Sequence, residues 1–135
     1  MDTRNTLQRS LVLKAAHELN HPSADEIYRV ISSTYPSVSR GTVYRNLSRL
    51  VEQGALCKVT LPDAADRFDD MTEAHYHVHC RICDRVDDAT IPYQPVLTQN
   101  IADTGGYLIE RHDIILNGIC PDCLKKSVRG SGPEG

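Results

Sequence analysis

The chain has 135 residues, with 15 Lys and Arg against 18 Asp and Glu, six His, five Cys and a formal net charge of -3. That length allows one domain or two very small ones, and 40% hydrophobic with 24% charged residues is ordinary for a soluble globular chain, which argues against wholesale disorder and against a membrane protein. No apolar run reaches the roughly 20 residues that span a bilayer, and the amino terminus mixes charges into its apolar positions without a signal-peptide core, so the expected location is cytoplasmic.

Leu7, Leu11, Val12, Ala15 and Leu19 recur at helical spacing until Asn20-His21-Pro22 stops the pattern. Ser23 is placed to cap a second helix, with Glu26 at the capping-box position and Ile27, Val30 and Ile31 on its inner face, ended by Tyr35-Pro36. Ser39 begins a third, whose apolar stripe is Val43, Leu47, Leu50 and Val51 and whose C-terminal cap is Gly54. Arg40, Thr42, Tyr44, Arg45 and Arg49 are then left to point elsewhere. Ala55–Thr60 and a strand around Arg67-Phe68-Asp69, joined through Pro62-Asp63, complete the outline of a winged helix-turn-helix.

Beyond residue 70 the chemistry changes. All of the net negative charge falls there, as do four of the five Cys. Tyr76–Cys80 and Arg85–Ile91 read as strands, Val96–Asp103 as a helix and Tyr107–Leu116 as a strand. The fold class is therefore α+β: a winged-helix domain over 1–70, a small α/β domain over 71–128, and a tail over 129–135 with turn formers and no apolar residue, expected to lack order. One Phe and no Trp leave little for two small cores, so a metal or a partner subunit is expected to add stability.

Cys80-x-x-Cys83 is followed after 36 residues by Cys120-x-x-Cys123. Two such turns offer four thiolates, the tetrahedral shell of structural zinc; two disulfides or free thiols are the alternatives, disfavoured in a reducing compartment. A closed four-sulfur shell holds a fold together and leaves no position for a substrate. Cys57 lies outside this set and is expected to be buried in the wing. His75, His77 and His79 alternate along a strand and so share a face, where two or three imidazoles suit one metal. Asp69 or Asp88 can complete a nitrogen and oxygen shell of the kind that favours iron(II) or manganese(II). Asp70, Asp84 and Asp87 compete for that role, and spacing does not separate them. On the third helix, Arg40, Thr42, Tyr44, Arg45 and Arg49 form a surface able to reach phosphates and base edges of double-stranded DNA.

Taken together, His21-Pro22-Ser23-Ala24-Asp25-Glu26-Ile27-Tyr28, Ser39 with Thr42-Val43-Tyr44-Arg45 and Leu47, Arg67-Phe68-Asp69, His75-x-His77-x-x-Cys80-x-x-Cys83 and Cys120-x-x-Cys123 resemble the ferric uptake regulator (Fur) family of metal-dependent repressors, over residues 5 to 126. The resemblance implies a winged-helix domain, an α+β dimerisation domain, a structural Zn2+ on the four cysteines, and a regulatory Fe2+ or Mn2+ held by His21, Asp69, His75, His77 and Asp88. It implies a homodimer on a palindromic operator, with no membrane role. The wing position is Asp69, as in the peroxide-responsive branch, where iron-uptake members usually have Glu. That branch implies oxidation-sensitive ligands at His21 and His75. Most of an extra metal site common in iron and zinc regulators is missing, since Ala74 and Tyr76 flank His75, although His112 remains. Arg45 instead resembles the helix of the iron regulators, and His79 is a neighbour of the metal or a surface residue.

An iron(II)- or zinc-responsive uptake regulator is the alternative within the family. A zinc hydrolase or deaminase would need an open metal with a general acid or base, for which Glu73 is a poor candidate without an HxE or HExxH pattern. The chain is therefore read as not an enzyme. A zinc-stapled protein adaptor would show no salt-dependent binding to DNA.

Overall fold

The computed structural model describes residues 3–99 and 105–131. Contacts divide the chain into two units, Met1–Glu73 and Ala74–Gly135.

In the first unit the helices begin where side chains satisfy their unpaired N–H groups. Helix α1 spans Thr3–Glu18, α2 Ala24–Thr34 and α3 Arg40–Glu52. Ser23 Oγ accepts from Glu26 N at 3.2 Å while Ser23 N donates to Glu26 Oε1 at 2.8 Å, a reciprocal capping box. Ser39 caps α3 through Thr42 N at 3.1 Å. Gly54 follows that helix at φ +79°, a left-handed turn that a side chain would oppose. Each helix packs on the other two, and the core comprises Val12, Ala15, Ala16, Ile27, Ile31, Val43, Leu47, Leu50, Leu56 and Phe68. Leu7 and Val30, expected inside, are exposed. At 3.6 residues per turn Leu7 lies about 140° around α1 from Val12, and on α2 the line of Ile27 and Ile31 leaves Val30 to one side.

Strands β1 (Cys57–Val59) and β2 (Arg67–Asp69) pair antiparallel, with Cys57 opposite Asp69. The β2 strand is also fastened to the α1–α2 link. Phe68 N donates to Pro22 O at 2.9 Å, Ser23 bridges Arg67, and Arg67 Nη1 donates to His21 O at 3.2 Å and Glu26 Oε1 at 3.1 Å. Cys57 is half-buried rather than buried, because β1 is a short outer strand.

The second unit holds a three-stranded sheet in the order β4-β3-β5, from β3 (His77–Cys80), β4 (Val86–Asp88) and β5 (Ile115–Gly118). In it β3 runs antiparallel to β4, with His77 opposite Asp88, and parallel to β5, with Cys80 opposite Gly118. The long strand expected over Tyr107–Leu116 is reduced to its last two residues, and pairing continues to Gly118 instead. A four-residue β3 offers only four positions to pair with, and Tyr107 and Leu108 lie exposed before it. Helix α4 covers Val96–Gln99; the rest of the helix expected to Asp103 lies outside the described residues. Helix α5, Pro121–Ser131, was not anticipated from the apolar pattern and takes in Arg129–Ser131, where order was expected to end. Pro121 at its first position and Asp122 in its first turn are the local signals. Residues 132–135 of the expected tail lie outside the description.

Replacing Ser23 with Ala removes the capping box, and denaturant unfolding is expected to show a loss of about 1 kcal/mol.

Candidate metal centres and recognition helix

The two CxxC turns meet because of strand register. Pairing of Cys80 with Gly118, together with Arg81 N donating to Gly118 O at 2.9 Å, carries the chain into the second turn beside the first. The four Sγ atoms lie within 4.8 Å of one another, with Cys80 to Cys123 and Cys83 to Cys120 each at 3.8 Å. A tetrahedral zinc with metal–sulfur bonds of about 2.3 Å has sulfur–sulfur edges of about 3.8 Å, whereas a disulfide needs about 2.05 Å. The spacing thus fits a shared ion, and none of the five cysteines is in a disulfide.

Backbone donors prepare the sulfurs for negative charge. Cys83 N and Cys120 N donate to Cys80 Sγ at 3.5 and 3.4 Å, and Cys123 N to Cys120 Sγ at 3.5 Å. The Cys83 N–H, opposed by burial but joined by that of Cys120, draws the Cys80 thiol down to about 6. Burial, with the neighbouring sulfurs, pushes Cys123 up to about 12. A divalent ion that neutralises all four would displace the remaining protons. Among the described residues, the second unit's buried apolar side chains are few: Tyr76, Val86, Cys80 and Cys123. An ion bound there would replace much of a core.

The nitrogen and oxygen donors fall into one set in each unit. In the first unit His21 Nε2 stands 3.2 Å from Asp69 Oδ2, and both residues are buried. His21 occupies the left-handed region at φ +46°, a conformation that costs a non-glycine residue about 1–2 kcal/mol and is held here by the contacts to β2. Asp69 Oδ1 accepts from Met71 N at 3.0 Å, so its other oxygen is the one turned to His21. In the second unit His75 Nε2 and His77 Nε2 lie 3.1 and 3.8 Å from Asp88 Oδ1, with the two rings 4.5 Å apart. The cross-strand pairing of His77 with Asp88 creates this group.

The competing carboxylates have other partners. Asp70 pairs with His17, raising that imidazole's pKa chiefly through their hydrogen bond. Asp84 binds His79 Nε2 at 2.9 Å, and Asp87 accepts from Arg85 at 2.7 Å. His79 is therefore a buried partner of the turn after Cys83, neither a surface residue nor one grouped with His75 and His77. His112 meets Tyr76 Oη at 2.7 Å and Thr98 Oγ1 at 2.6 Å and stacks on Tyr93. Nothing in the alternation of the sequence marked that cluster.

On α3, Tyr44, Arg45 and Arg49 are exposed, and Thr42 Oγ1 accepts from Arg45 Nη2 at 3.2 Å. Arg40, also exposed, pairs with Asp25 and lies 4.5 Å over the Tyr28 ring, joining the start of α3 to α2.

The ferric uptake regulator family matches residues 1–117. The chain belongs to this family. It is 35% identical over 124 residues to the peroxide operon regulator of Bacillus subtilis, covering 91% of this chain and 86% of that protein. It is 34% identical over 126 residues to the peroxide-responsive repressor PerR of Staphylococcus saprophyticus, covering 91% and 84%. The crystal structure of the Campylobacter jejuni peroxide stress regulator superposes with TM-score 0.71 at 29% identity, covering 90% of this chain and 92% of that one. The ferric uptake regulator of Francisella tularensis with iron shares the fold at TM-score 0.70 and 20% identity, covering 87% and 91%.

Cobalt(II) titrated into metal-free protein is expected to give sulfur-to-metal charge-transfer absorption at one ion per chain, lost in Cys123→Ser along with cooperative melting of the second unit. Apparent affinity should fall with pH, more steeply below about 6, where Cys80 joins the thiols that must release a proton.

Proposed function

We propose that this protein is a metal-dependent, DNA-binding transcriptional repressor that responds to peroxide through a nitrogen and oxygen metal site, with a separate structural zinc on Cys80, Cys83, Cys120 and Cys123. The observation that carries the reading is the segregation of donors. One set is all sulfur, suited to zinc, whereas the imidazoles and carboxylates, a pair in the first unit and a trio in the second, are donors suited to iron(II) or manganese(II). Asp69 at the end of β2 and the similarity to two peroxide regulators favour the peroxide branch.

The regulatory shell is His21, Asp69, His75, His77 and Asp88. Because the first two belong to one unit and the last three to the other, engagement of all five donors favours one arrangement of the units over the rest. In a homodimer that arrangement sets two α3 helices at the half-site spacing of a palindromic operator. Arg40, Arg45 and Arg49, with Thr42 and Tyr44, would face the DNA, with Arg40 also tying the start of α3 to α2. Iron(II) bound there would activate peroxide, so that one peroxide oxygen is added to the imidazole of His21 or His75, which is oxidised by two electrons overall, and the other leaves as water; manganese(II) would support repression without that chemistry. Oxidation of either imidazole removes a donor and with it the preference for the DNA-binding arrangement. A double-stranded DNA partner places the protein in the cytoplasm, and among the described residues no helix is long and apolar enough to cross a membrane.

The test is anaerobic loading of the zinc protein with iron(II), slight excess of peroxide, and peptide mass spectrometry beside a manganese(II) sample. Oxygen is expected on the His21 or His75 peptide in the iron sample alone; unmodified histidines would instead point to an iron- or zinc-responsive uptake regulator. Arg45→Ala is expected to cost about 1–3 kcal/mol of operator binding, and wild-type binding should fall linearly in log–log form with salt.

A further inference from the structure

We propose that Asn20 is a positioning residue for His21, holding the proton on His21 Nδ1 and so presenting Nε2 as the metal-binding nitrogen; the inference rests on His21 being a ligand, as argued above. Asn20 Oδ1 lies 2.8 Å from His21 Nδ1, and His21 Nε2 lies 3.2 Å from Asp69 Oδ2 on the opposite side of the ring. An amide oxygen has lone pairs and no proton to give, so the hydrogen bond to Asn20 requires Nδ1 to be the donor. A neutral imidazole with its proton on Nδ1 has its lone pair on Nε2, and the Asp69 carboxylate on that side, an acceptor only, would share a metal ion with that lone pair.

The surrounding backbone explains why a side chain does this. His21 stands at φ +46° with its carbonyl accepting from Arg67, and the next carbonyl, that of Pro22, accepts from Phe68 N. These bonds fix the position of the His21 backbone, and the ring is then met at Nε2 by Asp69 and at Nδ1 by Asn20. Asn20, the residue just before it, supplies the restraint at Nδ1. Partners of this kind on the far nitrogen of a ligand histidine typically alter metal affinity by 10- to 100-fold when removed.

The experiment compares wild type, Asn20→Ala and Asn20→Asp, each zinc-loaded, labelled with 15N histidine and titrated with manganese(II) for affinity and with 113Cd(II) for NMR. Asp keeps an oxygen acceptor in place; Ala removes it. The expected result is 113Cd coupling to His21 Nε2 and a slowly exchanging His21 Nδ1–H in wild type and Asn20→Asp. In Asn20→Ala that proton signal is lost and manganese affinity is 10- to 100-fold weaker, with an unchanged thermal melt. Unchanged affinity and an undiminished Nδ1–H in Asn20→Ala, or cadmium coupled to Nδ1, would overturn the role of Asn20 alone. Absence of any cadmium coupling to His21 in wild type would overturn it together with the regulatory site itself.

Discussion

A single four-residue strand governs the chemistry of the second unit. Through its antiparallel edge β3 sets His77 across from Asp88, and through its parallel edge it sets Cys80 across from Gly118, two residues before Cys120. A slip of one residue on the first edge would turn His77 to the wrong side of the sheet, and on the second it would pull one CxxC turn away from the other. The sulfur cluster and the imidazole–carboxylate group are thus consequences of one register. A strand this short has few ladder hydrogen bonds with which to defend that register. An ion held by the four sulfurs would make the pairing harder to break, and on the proposed reading it would support the imidazole–carboxylate group without touching it.

The first unit reaches the same end by different means. Its core is built by the three helices with Leu56 and Phe68, and His21 and Asp69 are brought together by a clasp between β2 and the α1–α2 link. Arg67 joins His21 O to the Glu26 carboxylate, which also completes the cap of α2. The energy of a helix start, an ordinary stabilising feature, is thereby shared with the placement of His21 and Asp69. The left-handed backbone of His21 is tolerated because several hydrogen bonds converge around it.

Much of this was legible in the chain itself. Ser23, Glu26 and Ser39 announce helix starts by local chemistry, and the two CxxC turns announce a four-sulfur group able to hold a metal. The assignment of His21, Asp69 and Asp88 came from family resemblance, since composition offered Asp70, Asp84 and Asp87 equally. What separates them is tertiary: each of those three is claimed by His17, His79 or Arg85, and no periodicity encodes such a claim. Helix α5 was missed because its start is marked by Pro121 rather than an apolar stripe, and the Tyr107–Leu116 strand was overextended because alternation does not reveal how long the partner strand is. Asn20 was read only as a helix stop, its bond to the neighbouring imidazole being invisible without a backbone.

The sulfur cluster is lopsided. Cys80 and Cys123 are buried, Cys120 is half-buried and Cys83 is exposed. A chelator or an electrophile therefore approaches an occupied site from the Cys83 and Cys120 edge, and the inner pair is reached only after the outer one lets go. The lifetime of the ion under chemical attack is then a sequence of steps gated by its most accessible sulfur. Two proteins with equal equilibrium affinity for zinc would differ in persistence according to how that one thiolate is shielded.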